Sequence, residues 1–407
     1  MTSDDTLNLS LGELCTFVRG VTYEVHEASP TPSDSCLPIL RAGNIADSLD
    51  LEHDLVWVPS TRVSNEQRLR GGDIVMCMSS GSAKVVGKSA LVMTDWAGSA
   101  GAFCGILRPR SNVQARWLAY WLRSVRFVQW RDSQARGANI QNLRFSQLSA
   151  VKLQVPSLKE QQRIVAKLDE QMAALDRAKK ALAEQREAAT TLRSTVIRAT
   201  LDPATHITWP TYPLGDLLEK ICNGVSALQN QDKIGLPVTR IETISTGSID
   251  TDRVGYLNLP ADHLRDHLLE PGDILFSHIN SFERIGNCAV YSGTPNRLVH
   301  GMNLLRFKPK RSLVAPEYLL CYLRAPTARA FFSATARRAI GQASINIRDL
   351  SVMPIALPPL QIQKSIAEYL DNSSRQTDAL VAALGVRVRT LDSLRTSLLN
   401  AAFSEEV

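Results

Sequence analysis

The sequence repeats itself at an offset of about two hundred residues, and this repeat limits the possible folds more than any other feature. Four short blocks recur in the same order: Leu11-Gly12-Glu13-Leu14 as Leu214-Gly215-Asp216-Leu217, Gly72-Asp73-Ile74 as Gly272-Asp273-Ile274, Arg108-Pro109 as Lys308-Pro309, and Val155-Pro156-Ser157-Leu158 as Leu357-Pro358-Pro359-Leu360. One such match could arise by accident, but several in one order indicate a duplicated unit.

Each copy begins with a part rich in short apolar runs that Gly, Pro, Ser and Asn interrupt. Such runs predict β-strands at Ile74–Met78, Ala90–Met93, Ile274–Phe276 and Cys288–Tyr291. Late in each copy, the residue pattern predicts one helix, at Ala115–Trp130 and at Pro316–Phe332. The fold class predicted for both copies is therefore a globular α+β domain.

Each copy ends in a segment that predicts one long helix. From Lys159 to about Leu201 the chain has no Gly or Pro, and apolar residues recur at spacings of three and four, as in a coiled-coil seam. Polar Gln171 takes one slot of this pattern. The predicted seam residues are Ile164, Leu168, Leu175, Leu182, Leu192 and Val196 in the first helix, and Ile366, Leu370, Leu384, Leu391, Leu394 and Leu398 in the second.

Neither helix can bury such a stripe alone, so each is expected to pack against the other. Because a short proline-containing linker follows the first helix, the second helix has to run back along it. This order predicts an antiparallel pair of long coiled-coil helices, a globular domain at each end, and a pseudo-two-fold internal repeat. The predicted boundaries are 1–156 for the first domain, 157–201 for the first helix, 202–213 for the linker, 214–358 for the second domain and 359–403 for the second helix.

Bulk composition permits a polyanionic partner without requiring one. The formal net charge is +6, a mild excess that also fits a protein that is simply basic. The seven cysteines are scattered and form no CxxC pair, which argues against a disulfide framework or a zinc finger and favours a reducing cytoplasm. No signal peptide is visible, and no apolar run reaches the roughly 18 residues of a membrane span.

The predicted arrangement suits duplex DNA, whose strands are related by local two-fold symmetry. Two related domains in opposed orientation can dock equivalently on opposite strands, which predicts two half-sites with a gap between them. Polar and basic side chains that suit base edges and phosphates cluster in both copies. The candidate DNA-binding residues are Arg41, Asn44, Ser80, Ser82, Lys84, Arg136, Asn139, Gln141 and Asn142 in the first copy, and Arg240, Glu242, His278, Asn280, Ser281, Arg284, Arg338, Gln342, Ser344 and Asn346 in the second.

For any single candidate, a solvated loop side chain is the simpler interpretation, and only the clustering in both copies favours DNA binding. Because the matching positions carry different residue types, the two domains are expected to read different half-sites. The same pattern leaves open a second function, a coiled-coil scaffold or adaptor with two peptide-binding domains.

The duplicated plan resembles the specificity subunit of type I restriction-modification enzymes. The resemblance rests on Gly72-Asp73-Ile74 with its following Ser/Gly loop, and on Leu153-x-Val155-Pro156-x-Leu158-x-Glu160-Gln161-Gln162-x-Ile164-Val165 before the long helix. The second copy carries Ile355-x-Leu357-Pro358-Pro359-Leu360-x-x-Gln363-x-x-Ile366-Ala367, and departs from the pattern at Ile362, where the family usually has Glu. The resemblance covers essentially the whole chain.

This resemblance implies two target recognition domains and two conserved helical regions that read a bipartite double-stranded DNA target. It also implies two modification (methyltransferase) subunits and two restriction (endonuclease and translocase) subunits as partners. S-adenosylmethionine, ATP and Mg²⁺ would be bound in those partners, and no cofactor is expected in this chain.

A search for enzymatic motifs supports a non-enzymatic interpretation. A methyltransferase would need an Asn/Asp-Pro-Pro-aromatic motif, but the chain's Pro-Pro pair, Pro358-Pro359, lies between leucines. No residues could be assigned to a catalytic or metal site. The sequence therefore predicts a cytoplasmic subunit that recognises DNA without modifying it.

Overall fold

The structure is a computed structural model that describes residues 6–82, 84–134, 141–201, 209–230, 232–339 and 341–404. The chain divides into two compact units. Unit 1 comprises Met1–Leu182 and Val386–Val407, and unit 2 comprises Ala183–Gly385. Each unit therefore contains a globular part together with segments of both long helices, and the predicted boundaries that set each helix apart stay predictions.

Unit 1 is a mixed α+β structure, as the sequence predicts. Its strands are β1 (Leu7–Ser10), β2 (Cys15–Arg19), β3 (Cys36–Leu40), β4 (Val56–Pro59), β5 (Ile74–Cys77), β6 (Ser79–Ser80), β7 (Ser89–Leu91), β8 (Ser99–Ala100), β9 (Cys104–Pro109), β10 (Gln141–Asn142) and β11 (Lys152–Val155). Its helices are α1 (Leu11–Leu14), α2 (Ala115–Trp121), α3 (Val125–Gln134) and α4 (Phe145–Ser149), followed by the long α5 (Leu158–Leu201).

Unit 2 repeats this plan. Its strands are β12 (Thr211–Pro213), β13 (Leu218–Asn223), β14 (Leu236–Val238), β15 (Gly255–Leu257), β16 (Ile274–Phe276), β17 (Ile279–Asn280), β18 (Cys288–Val290), β19 (Leu305–Pro309), β20 (Arg337–Ala339), β21 (Gln342–Ser344) and β22 (Pro354–Ala356). Its helices are α6 (Ala261–Leu264), α7 (Pro316–Arg324), α8 (Pro326–Thr335) and α9 (Ile347–Ser351), followed by the long α10 (Leu360–Phe403).

The same antiparallel sheet forms the centre of each globular part. The strand order is β2-β9-β5-β7 in unit 1 and β13-β19-β16-β18 in unit 2. The central strand β5 is buried on both faces, because successive side chains of a strand point in opposite directions. Ile74 and Met76 therefore join one hydrophobic core, whereas Val75 and Cys77 join a second. This arrangement explains the continuous apolar run in the sequence.

The prediction of one helix late in each copy was wrong, because each helix is broken into two. In unit 1, the amides of Arg123 and Ser124 bond to carbonyls three residues back, at Tyr120 and Trp121, and this turn separates α2 from α3. In unit 2, Ala325 has extended backbone angles between α7 and α8. Proline disfavours helical geometry in the residue before it, so Pro326 ends the first helix and begins the second.

The two long helices that the sequence predicts are present as α5 and α10. In unit 1, Leu168 and Leu175 of α5 belong to the same core as Leu399 and Phe403 of α10. The ion pair Lys179–Asp392 and a 3.8 Å contact from Arg395 to Asp176 join the two helices. As the residue number rises along α5, that of its partner falls along α10, so the two segments run antiparallel within unit 1.

The other halves of these helices pack in unit 2. Val196, Ile197 and Leu201 of α5 contact the same core that holds Ala367 and Leu370 of α10. No helix within the ranges described above is long and apolar enough to cross a membrane.

The predicted seam is correct in most positions and wrong in two. Leu168, Leu175, Leu370 and Leu384 are buried, and Ile164, Leu182, Val196, Ile366, Leu391 and Leu398 are partly buried. Leu192 and Leu394 are instead 64% and 45% exposed. Met172 is buried where the pattern assigned Gln171. The long helices do not pack only against each other, since Leu168 of α5 and Leu399 of α10 share a core with Trp117 of the globular part.

Candidate nucleic-acid interface

The repeated Gly-Asp-Ile block forms part of the framework. Gly72 and Gly272 have backbone φ angles of +93° and +94°, which glycine adopts more readily than residues with a Cβ. The following Asp73 accepts hydrogen bonds from Arg108 at 2.8 Å, and Asp273 is 2.6 Å from Arg306. Each carboxylate thus pairs with an arginine inside its own domain, so this block belongs to the framework.

The structure brings the first cluster of candidates in unit 1 onto one small sheet. Strand β6 pairs with β10, so that Ser80 lies opposite Gln141. Ser82, Lys84 and Asn142 are exposed beside this sheet, whereas Ser80 is partly buried and its Oγ accepts a hydrogen bond from the Ser82 amide at 3.2 Å. Two further candidates of this cluster, Arg136 and Asn139, lie outside the described residues.

The second cluster in unit 1 contains one residue with a structural role. Asn44 is only 3% exposed; its Oδ1 accepts from the Arg41 amide and its Nδ2 donates to the His53 carbonyl, each at 2.8 Å. Its amide is thus used inside the protein, and the prediction that it reads a base was wrong. Arg41 itself is exposed and donates to the Asp54 carbonyl at 2.9 Å, which leaves other guanidinium N–H groups for a ligand.

Unit 2 has the same turn with different chemistry. Thr243 replaces Asn44: its Oγ1 accepts from the Arg240 amide at 2.8 Å and donates to the Arg253 carbonyl at 2.6 Å. Arg240 and Glu242, both predicted, line a cleft of about 710 Å³. Their Nε and Oε2 atoms are 3.9 Å apart.

This cleft also holds residues that the sequence analysis missed, among them Lys233, Arg253 and Tyr256. They are separated from Arg240 in the sequence, and no motif links them. The cleft offers cationic donors together with a carboxylate acceptor. Arg and Lys donate to guanine edges or phosphates, and Glu accepts from the cytosine amino group.

The remaining candidates of unit 2 gather on the sheet β17-β21-β20, which places Asn280 and Arg338 on either side of Ala343. The Arg338 guanidinium carbon lies 3.6 Å from the centre of the Phe282 ring, which holds this exposed cation in place. Gln342 and Arg284 are exposed, and Ser281 and Ser344 are partly buried. Asn280 is partly occupied, because its Nδ2 donates to Ser277 Oγ at 3.0 Å.

Two predicted contacts of unit 2 have other roles. His278 is 9% exposed, and burial lowers the pKa of its imidazole, which disfavours the cationic form that would pair with a phosphate. Asn346 is exposed, but its Oδ1 caps α9 by accepting from the Asp349 amide at 2.7 Å. Sequence pattern alone does not distinguish such caps from ligand contacts, since Asn serves both.

The glutamines that begin the long helices are structural anchors. Gln161 is buried; its Oε1 accepts from the Gln114 amide at 2.7 Å and its Nε2 donates to the Pro156 carbonyl at 2.9 Å. Gln363 makes the corresponding bonds to Ala315 and Pro358. The proline-leucine-glutamine pattern of the sequence therefore joins each globular part to its helix. In the described part of the chain, no cluster of His, Cys, Asp and Glu is arranged to hold a metal ion.

The chain is similar to known proteins over most of its length. The family model described as "Type I restriction modification DNA specificity domain" matches residues 9–185 and 206–385. The specificity subunit of the type I restriction enzyme EcoKI from Escherichia coli K12 is 28% identical over 404 residues, which cover 96% of this chain and 87% of that subunit. A putative type I restriction enzyme specificity subunit, MjaX of Methanocaldococcus jannaschii, is 42% identical over 200 residues, 49% of this chain and 46% of its own length.

Two solved structures share the fold. A chain from a structural study of complex assembly and conformational transition of the type I R-M system aligns with a TM-score of 0.76 and 20% identity over 100% of both chains. The HsdS subunit from Thermoanaerobacter tengcongensis aligns with a TM-score of 0.57 and 20% identity, over 99% of this chain and 97% of that one.

Proposed function

The chain belongs to the family of type I restriction-modification DNA specificity domains and recognises a DNA target, and we propose that each of its two units reads one half of a bipartite target. Membership of this family replaces the scaffold alternative that the sequence left open.

The observation that supports two different half-sites is the contrast between framework and loops. The framework is alike in both units: buried Asp73 corresponds to Asp273, and the anchoring Gln161 corresponds to Gln363. At the turn that holds Arg41 and Arg240, by contrast, Glu242 of unit 2 stands where unit 1 has Gly43. A carboxylate accepts from the cytosine amino group, whereas glycine has no side chain to read a base, so such differences over a common frame change the sequence that is read.

The long helices have a separate role in this proposal. Each contains 44 residues, which corresponds to roughly 66 Å at 1.5 Å per residue. They set the spacing between the half-sites and dock the methyltransferase subunits. The buried glutamines support this role, because they hold the start of each helix rigidly against its recognition domain.

The chain acts without catalysis of its own, as a subunit of a type I restriction-modification complex. Its relatives are specificity subunits. Methylation resides in two modification subunits that bind S-adenosylmethionine, and ATP-dependent cleavage resides in two restriction subunits that bind ATP and Mg²⁺. The complex works in the cytoplasm, where the DNA is.

The test is a hybrid chain in which residues 1–150 come from a relative of different specificity. Each chain is combined with the methyltransferase subunit, and the methylated motif is determined by sequencing modified DNA. We expect the hybrid to change one half-site and keep the other. A continuous motif, or a change in both halves, would contradict the proposal.

A point variant of the cleft gives a finer control. Glu242→Gln keeps the shape of the side chain and removes its charge, so it should relax the half-site read by unit 2. The matched variant Gly43→Gln alters unit 1, so it should leave the half-site read by unit 2 unchanged. The chain alone, incubated with S-adenosylmethionine and DNA, should methylate nothing.

A further inference from the structure

Among the described residues, Val25 and Leu228 are the most exposed large apolar side chains of their recognition domains. Val25 is 91% exposed in unit 1, and Leu228 is 97% exposed in unit 2. Single exposed apolar residues are common on protein surfaces. Two of them at equivalent positions of a repeat require a common explanation.

The positions are equivalent because the same backbone bridges bound both loops. Loop A consists of residues 22–28 of unit 1, and loop B consists of residues 226–229 of unit 2. Each loop begins after a parallel bridge and ends at an antiparallel bridge: Val21–Gly101 and Ser29–Trp57 for loop A, and Val225–Gly301 and Asn230–Tyr256 for loop B. The loops differ in length and sequence, yet each holds one aliphatic side chain in solvent.

Loop B borders the cleft of unit 2. A Cβ placed on Gly255 would lie 2.2 Å from the Gln229 side chain, so Gln229 packs directly on that strand. The next residue, Tyr256, lines the cleft together with Arg240 and Glu242. Leu228, the residue before Gln229, belongs to this loop, whose end at Asn230 pairs with the cleft residue Tyr256.

Loop A has the corresponding position in unit 1. Ser29 at its end pairs with Trp57 of β4, and Trp57 pairs in turn with Pro38 of β3. Strand β3 ends immediately before Arg41. Glu27 anchors the loop by accepting a hydrogen bond from Arg62 Nε at 2.9 Å, which leaves Val25 directed away from this internal contact as an exposed side chain.

The divergence of the loops indicates what they contact. A partner subunit that binds both units in the same way would favour similar loop sequences in the two units. Two different half-sites favour different loops on one framework. The apolar group that a base presents in the major groove is the thymine methyl. On the basis of the DNA-reading function proposed above, we propose that Val25 and Leu228 each contact a thymine methyl group, one in each half-site.

The experiment uses the complete methyltransferase complex and a duplex that carries its methylated motif. Each thymine of the motif is replaced in turn by uracil, which removes only the methyl group. For the native chain, one uracil position in each half-site should weaken binding about fourfold, the value expected for one buried methyl. Fluorescence anisotropy at several salt concentrations measures the dissociation constants.

The variants Val25→Ser and Leu228→Ser then assign the contacts. Val25→Ser should lower affinity by about fourfold to tenfold and abolish the uracil effect in one half-site only. Leu228→Ser should do the same in the other half-site. Because both side chains are exposed, the variants should unfold at the same denaturant concentration as the native chain. Leu7→Ser and Val352→Ser, which alter exposed apolar residues beside the long-helix junctions, should keep the full uracil effect.

The outcomes separate this inference from the function on which it rests. If base-pair substitutions in the motif abolish binding but uracil has the same effect in native and variant complexes, the thymine contact is wrong and the DNA-reading function stands. If Val25→Ser weakens association with the methyltransferase instead, loop A is a protein-docking loop and the inference is overturned. If no base-pair substitution in either half-site matters, the proposed function itself fails.

Discussion

Replacement of Gln363 by methionine should destabilise unit 2 strongly, although the change is nearly isosteric. The side chain is fully buried, and its Oε1 accepts from the Ala315 amide at 2.8 Å. Its Nε2 donates to the carbonyls of Pro358 at 2.8 Å and Leu313 at 2.9 Å. Methionine fills the space without supplying any of these bonds.

The magnitude follows from the groups left without partners. Leu313 is an exposed residue, so water can replace the lost bond to its carbonyl. Ala315 and Pro358 are buried, and each orphaned backbone group costs about 1 to 3 kcal/mol. Gln363→Met should therefore lower the free energy of unfolding of unit 2 by about 2 to 6 kcal/mol.

Urea unfolding followed by circular dichroism measures this loss, with a matched variant on the same turn of helix as the control. Gln361 is exposed, so Gln361→Met should change the free energy of unfolding by no more than about 0.5 kcal/mol. Equal effects of the two variants would refute the view that the buried amide anchors α10. Gln161→Met should act in the same way on unit 1.

Two further predictions concern titration and backbone strain. Burial lowers the pKa of His300 to about 4 from 6.5; the unfolded chain therefore binds more protons between these pH values, and stability present above pH 6.5 is lost as the pH falls to 4. Between pH 6.5 and 4, the free energy of unfolding of unit 2 should fall by about 3 kcal/mol more in the native chain than in His300→Gln. Urea titrations at several pH values measure this fall, and an equal dependence on pH in the two chains would contradict the prediction. Gly72→Ala should lower the free energy of unfolding of unit 1 by about 1 to 3 kcal/mol, because Gly72 has φ +93°. Gly43→Ala should be nearly neutral, because nothing lies within 4 Å of the new Cβ. Equal melting temperatures of the two variants in a thermal scan would argue against strain at Gly72.

The architecture could be predicted from the sequence because it depends on features that repeat along the chain. A long segment free of Gly and Pro with heptad spacing specifies a helix wherever it packs. Buried strands such as Ile74–Cys77 appear as continuous apolar runs for a similarly local reason. The helix breaks were less visible, since the turn after Trp121 contains neither Gly nor Pro.

The candidate site was predictable only as a set of loops. Exposed Arg41 and buried Asn44 lie three residues apart in the same turn, and residue type does not reveal which one faces solvent. The burial of His278 and the capping bond of Asn346 were not visible in the sequence for the same reason, because imidazole and amide groups serve the interior of a protein as readily as a ligand.

The sequence by itself determined the duplicated plan, the two long helices and the membership of a DNA-reading family, because repeats, periodicity and motifs are properties of the chain. Only the tertiary structure decided which polar groups are occupied inside the protein, that Arg240 and Arg253 share a cleft, and that Val25 and Leu228 occupy equivalent loops. Burial and proximity depend on packing between segments far apart in the sequence, and local residue pattern carries no record of that packing.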